Sequence, residues 1–87
     1  MKVINNVVEV SDEGLEGLLG QNVTFFCAVY IYTGKLIGVN LTCVKLESPK
    51  IVYETGAFDD PKWKDAQPLP REIYLQIAMI EAFGVVK

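Results

Sequence analysis

The residues best suited to chemistry in this sequence surround its single tryptophan. Trp63 lies between Lys62 and Lys64, and an indole flanked by two ammonium groups can stack on a ring while the lysines contact phosphate. Alternatively, Trp63 folds back over the mouth of the domain as a lid, and both lysines are solvated. Arg71 completes a compact anion site if it lies across the same loop. We take Trp63, Lys62, Lys64, Arg71 and Phe58 as the candidate ligand-binding residues.

Three acidic residues, Asp59, Asp60 and Asp65, lie in the same region. Carboxylates can hold a metal ion or exchange protons with a substrate. Adjacent side chains in a loop point apart, however, and the aspartate pair leads into Pro61, which favours a role in a turn or cap. We therefore assign these residues neither catalysis nor metal binding.

The two cysteines, Cys27 and Cys43, stand sixteen residues apart in a chain without histidine. Zinc therefore lacks its usual ligands, and a cysteine nucleophile lacks its usual base. We expect two small buried thiols in a reducing compartment, with a disulfide between neighbouring strands as the alternative. Because no nucleophile and base pair or phosphate-binding glycine loop is present either, the sequence predicts a protein that is not an enzyme, with no catalytic residue, metal or cofactor.

Length and composition describe a small apolar domain. The chain has 87 residues, of which 51% are hydrophobic, and its formal charge is −3. We expect one domain over residues 1–87, too small for a deep catalytic cleft. The apolar excess favours a homo-oligomer, whereas the acidic balance disfavours general binding to nucleic acid. Neither a signal peptide nor an apolar run long enough to span a membrane is recognisable, so we expect a cytoplasmic protein with no membrane partner.

Aromatic residues recur along the apolar segments. Tyr30, Tyr32, Tyr53 and Phe58 fall on neighbouring predicted strands, so some of them face the same side of a sheet. We expect most of them in the core. Any that remain at the surface would mark a protein-binding or ring-stacking interface, because aromatic side chains are enriched there.

The first fifth of the chain predicts a strand and a short helix. Val3 to Val10 is rich in valine and isoleucine, which is typical of a strand. Ser11 can cap a following helix, because acidic residues come directly after it and three leucines then share one face. Three glycines limit that helix to about two turns.

Four strands joined by tight connections follow the helix. Two glycines, Gly34 and Gly38, interrupt the second of them, and glycine inside a strand marks a bend, a bulge or a close approach of backbone. A strand bent twice predicts a small curved sheet that closes on itself. A turn at Thr33-Gly34 is the alternative, which would make one long hairpin. The predicted strands cover residues 22–26, 29–40, 41–47 and 50–58, with a break at Ser48-Pro49.

The remaining residues comprise a loop and an ambiguous segment. Residues 59–70 predict a polar, proline-punctuated loop, and a loop of that length is commonly functional. Residues 71–86 allow either a helical apolar stripe or strand alternation. We favour a strand, because an open sheet edge needs cover. The predicted fold is therefore mainly β, a small barrel of five or six strands with a short N-terminal helix.

The helix and the glycine-bearing strand together resemble the Sm/LSm type of SH3-like small β-barrel. Members share a Leu-x-Gly-x-x-Val entry and a strand of the form Tyr-x-Gly-x-Leu-x-Gly-Val. The resemblance implies the barrel fold. It does not extend to uridine binding, because the loop after the glycine strand has Asn40 without the family's aspartate, and the Arg-Gly pair of the family's second loop is missing. The matching positions here are Leu19, Gly20 and Val23, whose spacing differs from the family's by one residue, and Tyr32, Gly34, Leu36, Gly38 and Val39.

The C-terminal half resembles small uncharacterised proteins of tailed bacteriophages, through its VYETGAF, WKDAQPLP and IEAFG segments. That resemblance implies a viral accessory protein in the host cytoplasm. We expect it to self-associate and to capture a host protein or a small nucleotide-like ligand, which would interfere with a host process such as antiviral defence. The alternatives are an Sm-like binder of single-stranded nucleic acid or RNA, and a structural component of a viral assembly.

Overall fold

The protein is mainly β, and its residues 13–87 form one antiparallel sheet of six strands and one short α-helix. The computed structural model describes residues 13–87. The coarse fold prediction is thereby confirmed. The elements are α1 (Gly14–Gly17), β1 (Asn22–Cys27), β2 (Ile31–Val39), β3 (Cys43–Glu54), β4 (Asp65–Pro68), β5 (Ile73–Gln76), a 3-10 helix (Ile77–Met79) and β6 (Ile80–Gly84).

The sheet is built around an antiparallel meander of β1, β2 and β3. β6 pairs with β1 on one side, and on the other side β4 and β5 pair with different halves of the long strand β3. Within residues 13–87, pairing between strands does not close the sheet into a ring. Among the described residues, no helix is long and apolar enough to cross a membrane.

Both glycines of β2 lie at irregularities in its pairing with β3. The register shifts between Thr33 and Lys35 and again between Leu36 and Gly38, which confirms the predicted bends and excludes the alternative turn at Thr33-Gly34. A Cβ atom at Gly34 would lie 3.2 Å from the Pro49 Cα. A glycine is therefore needed there for the close approach of the two backbones.

The core lies between the meander and the strand β5. The core residues of β1 and of the first half of β3 are two positions apart, as expected for side chains on one buried face of a sheet. Leu15 and Leu18 of the helical segment pack against the same cluster. The buried apolar side chains of the cluster are Val23, Phe25, Leu36, Val44, Leu46 and Leu75.

Three predicted boundaries are wrong. The chain does not break at Ser48-Pro49, because β3 runs through it with a bulge in which two residues of β3 face Gly34 alone. Residues 59–70 are not all loop, since β4 forms at Asp65–Pro68 and pairs with β3. The helix begins at Gly14 with Glu13 as its N-cap. Ser11 and the predicted strand Val3 to Val10 lie outside the described residues.

The preference for strand over helix in residues 71–86 is confirmed. The segment forms β5 and β6, joined by the 3-10 helix. That helix is tied to the meander by two backbone hydrogen bonds: the Ile77 amide donates to the Thr42 carbonyl (2.8 Å), and the Ala28 amide donates to the Met79 carbonyl (2.9 Å). A helical turn therefore interrupts the strand conformation of residues 71–86, which explains why this segment fitted both the strand and the helix periodicity.

Candidate functional site

The candidate site is built on the loop of residues 55–64, which connects β3 to β4. A turn forms where the Asp60 amide donates to the Ala57 carbonyl (3.1 Å), and the ends of the loop meet where the Lys64 amide donates to the Thr55 carbonyl (3.4 Å). Asp59 and Asp60 thus lie in a turn, as predicted for them. Both are exposed.

Three aromatic rings lead from the sheet into this loop. Phe26 of β1 lies beside Phe58, with ring centroids 6.4 Å apart. Phe58 in turn meets Trp63 edge to face, at 6.4 Å and 87°. Pairs of this geometry add to the stability that the buried area alone provides. Phe58, Trp63 and Phe26 form what we call the aromatic cluster, which fixes the indole on the sheet.

Lys87 holds the loop against the aromatic cluster. Its ammonium donates to the backbone carbonyls of Thr55 (2.7 Å) and Ala57 (2.9 Å). The same nitrogen lies 4.5 Å from the centroid of the Trp63 ring and 5.5 Å from that of Phe58. The Lys87 ammonium therefore covers one face of the indole, and its hydrogen bonds to the two carbonyls hold it there.

Trp63 is half-buried and lines a groove of about 770 Å³, which we call the tryptophan groove. Four lysines line it with the indole, namely Lys50, Lys62, Lys64 and Lys87. Asp65 is the acidic residue among the described residues that line the groove. Its Oδ1 accepts a hydrogen bond from the side-chain Nε2 of Gln67 (2.7 Å). The sequence predicted Trp63, Lys62 and Lys64 as neighbours, and the fold adds the other two lysines.

The four lysines differ in the partners of their ammonium groups. Lys64 forms an exposed ion pair with Glu54 (3.2 Å), and Lys87 is bonded to carbonyl oxygens. Lys50 and Lys62 have no carboxylate partner among residues 13–87. These two exposed ammonium groups are therefore available to a bound anion, and they face a groove that contains an aromatic ring.

Arg71 lies in a neighbouring cavity and does not line the tryptophan groove. This arginine groove, of about 710 Å³, is also lined by Lys45, Lys50, Glu72 and Tyr74. Lys45 forms an ion pair with Glu72 (3.4 Å), and a hydrogen bond with Tyr74, together with the Glu72 charge, raises the pKa of its ammonium. Arg71 has no carboxylate partner among the described residues.

The tyrosines form a separate surface. Tyr30, Tyr32 and Tyr74 line a tyrosine groove of about 270 Å³ together with Cys27 and Met79. The expectation that most of the predicted strand aromatics are in the core is wrong, because Tyr30, Tyr53 and Phe58 are exposed and Tyr32 is half-buried. Desolvation raises the pKa of the Tyr32 hydroxyl. Exposed tyrosines on one face are suited to contact with another protein.

Both cysteines are free and half-buried, so the expectation of fully buried thiols is wrong while the disulfide alternative is excluded. Burial, and to a lesser degree the charge of Glu81, raises the pKa of the Cys27 thiol. A thiol whose pKa is raised is a poor nucleophile at neutral pH. Among residues 13–87, no group of three cysteine or acidic side chains is placed to hold a metal ion.

Sequence reasoning missed Lys50, Lys87 and Phe26 as parts of the site. Lys50 follows the proline at which a break was expected, and its position depends on β3 being continuous. Lys87 is 30 and 32 residues from the carbonyls that it binds. No local pattern reports a contact at such a separation, although an aromatic and lysine-rich loop was a valid indication of the region.

Comparisons with protein-family models, with curated proteins and with solved structures found no match. The geometry of the tryptophan groove is thus the main observation from which a function can be inferred.

Proposed function

We propose that this protein is a non-enzymatic binding protein that holds a small nucleotide-like ligand in the tryptophan groove. The observation that carries the proposal is the half-buried indole of Trp63 beside two lysines, Lys50 and Lys62, that have no carboxylate partner among the described residues. A base stacks on an indole because both are flat and polarisable, and ammonium groups bind phosphate oxygens.

The groove is prepared for such a ligand before it binds. The aromatic cluster and the Lys87 contacts hold the indole in place, so little side-chain entropy is lost when a ring stacks on it. Lys64 is kept beside the groove by Glu54. The two unpaired lysines supply the positive charge, and their attraction to phosphate weakens as salt is added.

The single tryptophan gives a direct test, because its fluorescence reports on the groove and on nothing else in the chain. The protein is titrated at low salt with AMP and with adenosine, which share one base and differ in the phosphate. We expect saturable quenching by both ligands. AMP should bind about tenfold more tightly than adenosine, since hydrogen bonds to charged groups contribute about 1.5 kcal/mol or more.

Two lysine variants identify where the phosphate binds. Lys62→Gln removes an unpaired ammonium from the groove, and we expect it to weaken AMP binding about tenfold. Lys35→Gln makes the same change at an exposed position of β2 outside the groove, and AMP affinity should not change. Absence of quenching by AMP, or equal effects of the two variants, would contradict the proposal.

We also propose that the sheet is a small barrel of the SH3-like type. β5 pairs with β3 and β6 pairs with β1, while only the 3-10 helix separates β5 from β6. The chain thus joins the two sides of the sheet where strand pairing does not. An experimental structure in which the sheet is flat and open, with β4 and β6 at two distant edges, would contradict this.

Self-association completes the proposal. The exposed apolar residues of the tyrosine groove, Tyr30, Tyr74 and Met79, support contact between copies or with a host protein. Light scattering that shows a monomer at high concentration would exclude the homo-oligomer. The setting, a phage-encoded accessory protein that acts on a host process such as antiviral defence, rests on the resemblance of the sequence.

A further inference from the structure

The tryptophan groove and the arginine groove contain the same pair of groups. In the first, the Lys87 ammonium lies 4.5 Å from the centre of the Trp63 ring. In the second, the Lys45 ammonium lies 5.5 Å from the centre of the Tyr74 ring. Each ammonium has other partners, since Lys87 bonds two carbonyls and Lys45 bonds Glu72. Each groove therefore has an aromatic ring that is held by a cation.

Each groove is also lined by a cation that forms no ion pair within the described residues. Lys62 lines the tryptophan groove and Arg71 lines the arginine groove, and neither has a carboxylate partner within residues 13–87. Lys50, equally unpaired, lines both grooves. The two grooves together are lined by six cations and three carboxylates, so on a protein whose formal charge is −3 they form a surface of net positive charge. The carboxylates are Glu47, Asp65 and Glu72.

The two grooves meet at the bulge of β3. Ser48 and Lys50 line both of them. Ser48 has a φ of +50°, the one positive value for a non-glycine residue within the described part of the chain. Such backbone strain is concentrated at ligand sites, where the surrounding structure maintains it. Here it lies where the two cavities join.

The distance between the rings exceeds what one nucleotide covers. Tyr74 pairs with Lys45 of β3, whereas Asp65, two residues after Trp63, pairs with Glu54, nine residues further along the same strand, a separation of up to about 30 Å at the rise of a strand. Lys50 lies between these two positions on β3 and lines both grooves. A mononucleotide that stacks on Trp63 therefore leaves Arg71 and Tyr74 without a partner.

We propose that the ligand is a dinucleoside polyphosphate, two bases joined by a chain of phosphates, which occupies both grooves. One base stacks on Trp63, the phosphates run past Lys62, Lys50 and Arg71, and the second base stacks on Tyr74. This order of groups follows the order ring, cations, ring on the surface. The assignment rests on the proposed function of the tryptophan groove and extends it to the arginine groove.

The test compares diadenosine tetraphosphate with ATP, which has the same base, a similar charge and no second nucleoside. Binding is followed by Trp63 fluorescence and calorimetry on the full chain. We expect diadenosine tetraphosphate to bind about tenfold more tightly than ATP, which is the effect of one additional stacked base. Tetra-adenylate serves as a single-stranded comparison.

Two variants locate the second base and the phosphates. Tyr74→Leu should remove the preference for diadenosine tetraphosphate and leave ATP binding unchanged, whereas Tyr53→Leu, at an equally exposed tyrosine outside both grooves, should change neither. Arg71→Gln should weaken diadenosine tetraphosphate binding about tenfold and AMP binding not at all.

The outcomes separate this inference from the function on which it rests. Equal affinities for ATP and diadenosine tetraphosphate, with quenching by both, would overturn the inference and leave the tryptophan groove as the site. Tighter binding of tetra-adenylate than of diadenosine tetraphosphate would overturn it in favour of a nucleic-acid strand. No quenching by any of these ligands would overturn both proposals.

Discussion

The interior of the sheet and the loop of residues 55–64 are held in place by different means. Inside the sheet, six apolar side chains from β1, β2, β3 and β5 pack together with almost no exposed surface. In the loop, the Phe58 ring is 56% exposed, and the conformation depends on the few hydrogen bonds of the turn and on Lys87. The first region depends on burial and the second on a small number of specific contacts.

This difference indicates where binding can change without loss of the fold. Burial contributes to stability in proportion to area, so the sheet tolerates little change in volume at its centre. A loop held by a lysine and two ring contacts can be altered at little cost to the free energy of unfolding. We therefore expect ligand binding and stability to be separable by mutation.

The largest difference should appear between two phenylalanines. Phe25→Ala removes a ring that is 0% exposed, and we expect it to lower the free energy of unfolding by about 3–5 kcal/mol, most of the stability of a domain this small. Phe58→Ala removes an exposed ring that contacts Phe26 and Trp63, which should cost about 1 kcal/mol. Urea unfolding followed by far-UV circular dichroism measures both, and equal losses would contradict the comparison.

A smaller effect is expected at Lys87. Lys87→Met keeps the length of the side chain but removes its hydrogen bonds to the Thr55 and Ala57 carbonyls and its charge over the Trp63 ring. We expect the free energy of unfolding to fall by about 1.5 kcal/mol or less. Trp63 should emit at longer wavelength and be quenched more readily by acrylamide, because the indole loses its cover.

Lys62→Met is the matched control for Lys87→Met, since Lys62 is an exposed lysine of the loop that Lys87 contacts. Trp63 emission should be unchanged in this variant. If the two methionine variants show the same emission and the same acrylamide quenching, Lys87 does not hold the loop.

The smallest effect should be a gain in stability within the sheet. The Thr24 hydroxyl is buried and has no hydrogen-bond partner among residues 13–87, so Thr24→Val replaces an unpaired polar group by a methyl group of the same shape. We expect a stabilisation of about 1 kcal/mol and a rise in Tm of about 4–8 °C. Thr42→Val, at an exposed hydroxyl that bonds Asn40, should give no gain. Destabilisation by Thr24→Val would show that the hydroxyl has a partner in solution.

The sequence predicted the strands and the bends because these depend on local residue types. Gly34 and Gly38 marked the irregular pairing of β2, and runs dense in β-branched and aromatic residues marked β1 and β2. The break expected at Ser48-Pro49 did not occur, because a strand can carry proline at a bulge. The pairing with β4 and β5 keeps β3 continuous on both sides of that bulge.

The site was predictable only in part, because some of its residues are neighbours in the chain and others are brought together by the fold. Trp63, Lys62 and Lys64 are neighbours in the chain, so their proximity required no knowledge of the fold. Arg71 was expected beside them, but it lines the adjacent arginine groove, because β4 forms between them and leads the chain along β3. The contribution of Lys87 depends on long-range pairing that carries no local pattern.

Chemical-shift mapping by NMR tests the central claim most directly, because it observes the loop and the sheet in one experiment. AMP is added to ¹⁵N-labelled protein. We expect the Trp63 indole N–H, the amides of residues 55–64 and the Lys50 amide to shift with one common affinity, while the Val23 and Leu36 amides in the sheet remain unchanged. An indole signal that does not move, or shifts confined to the tyrosine groove, would contradict the account.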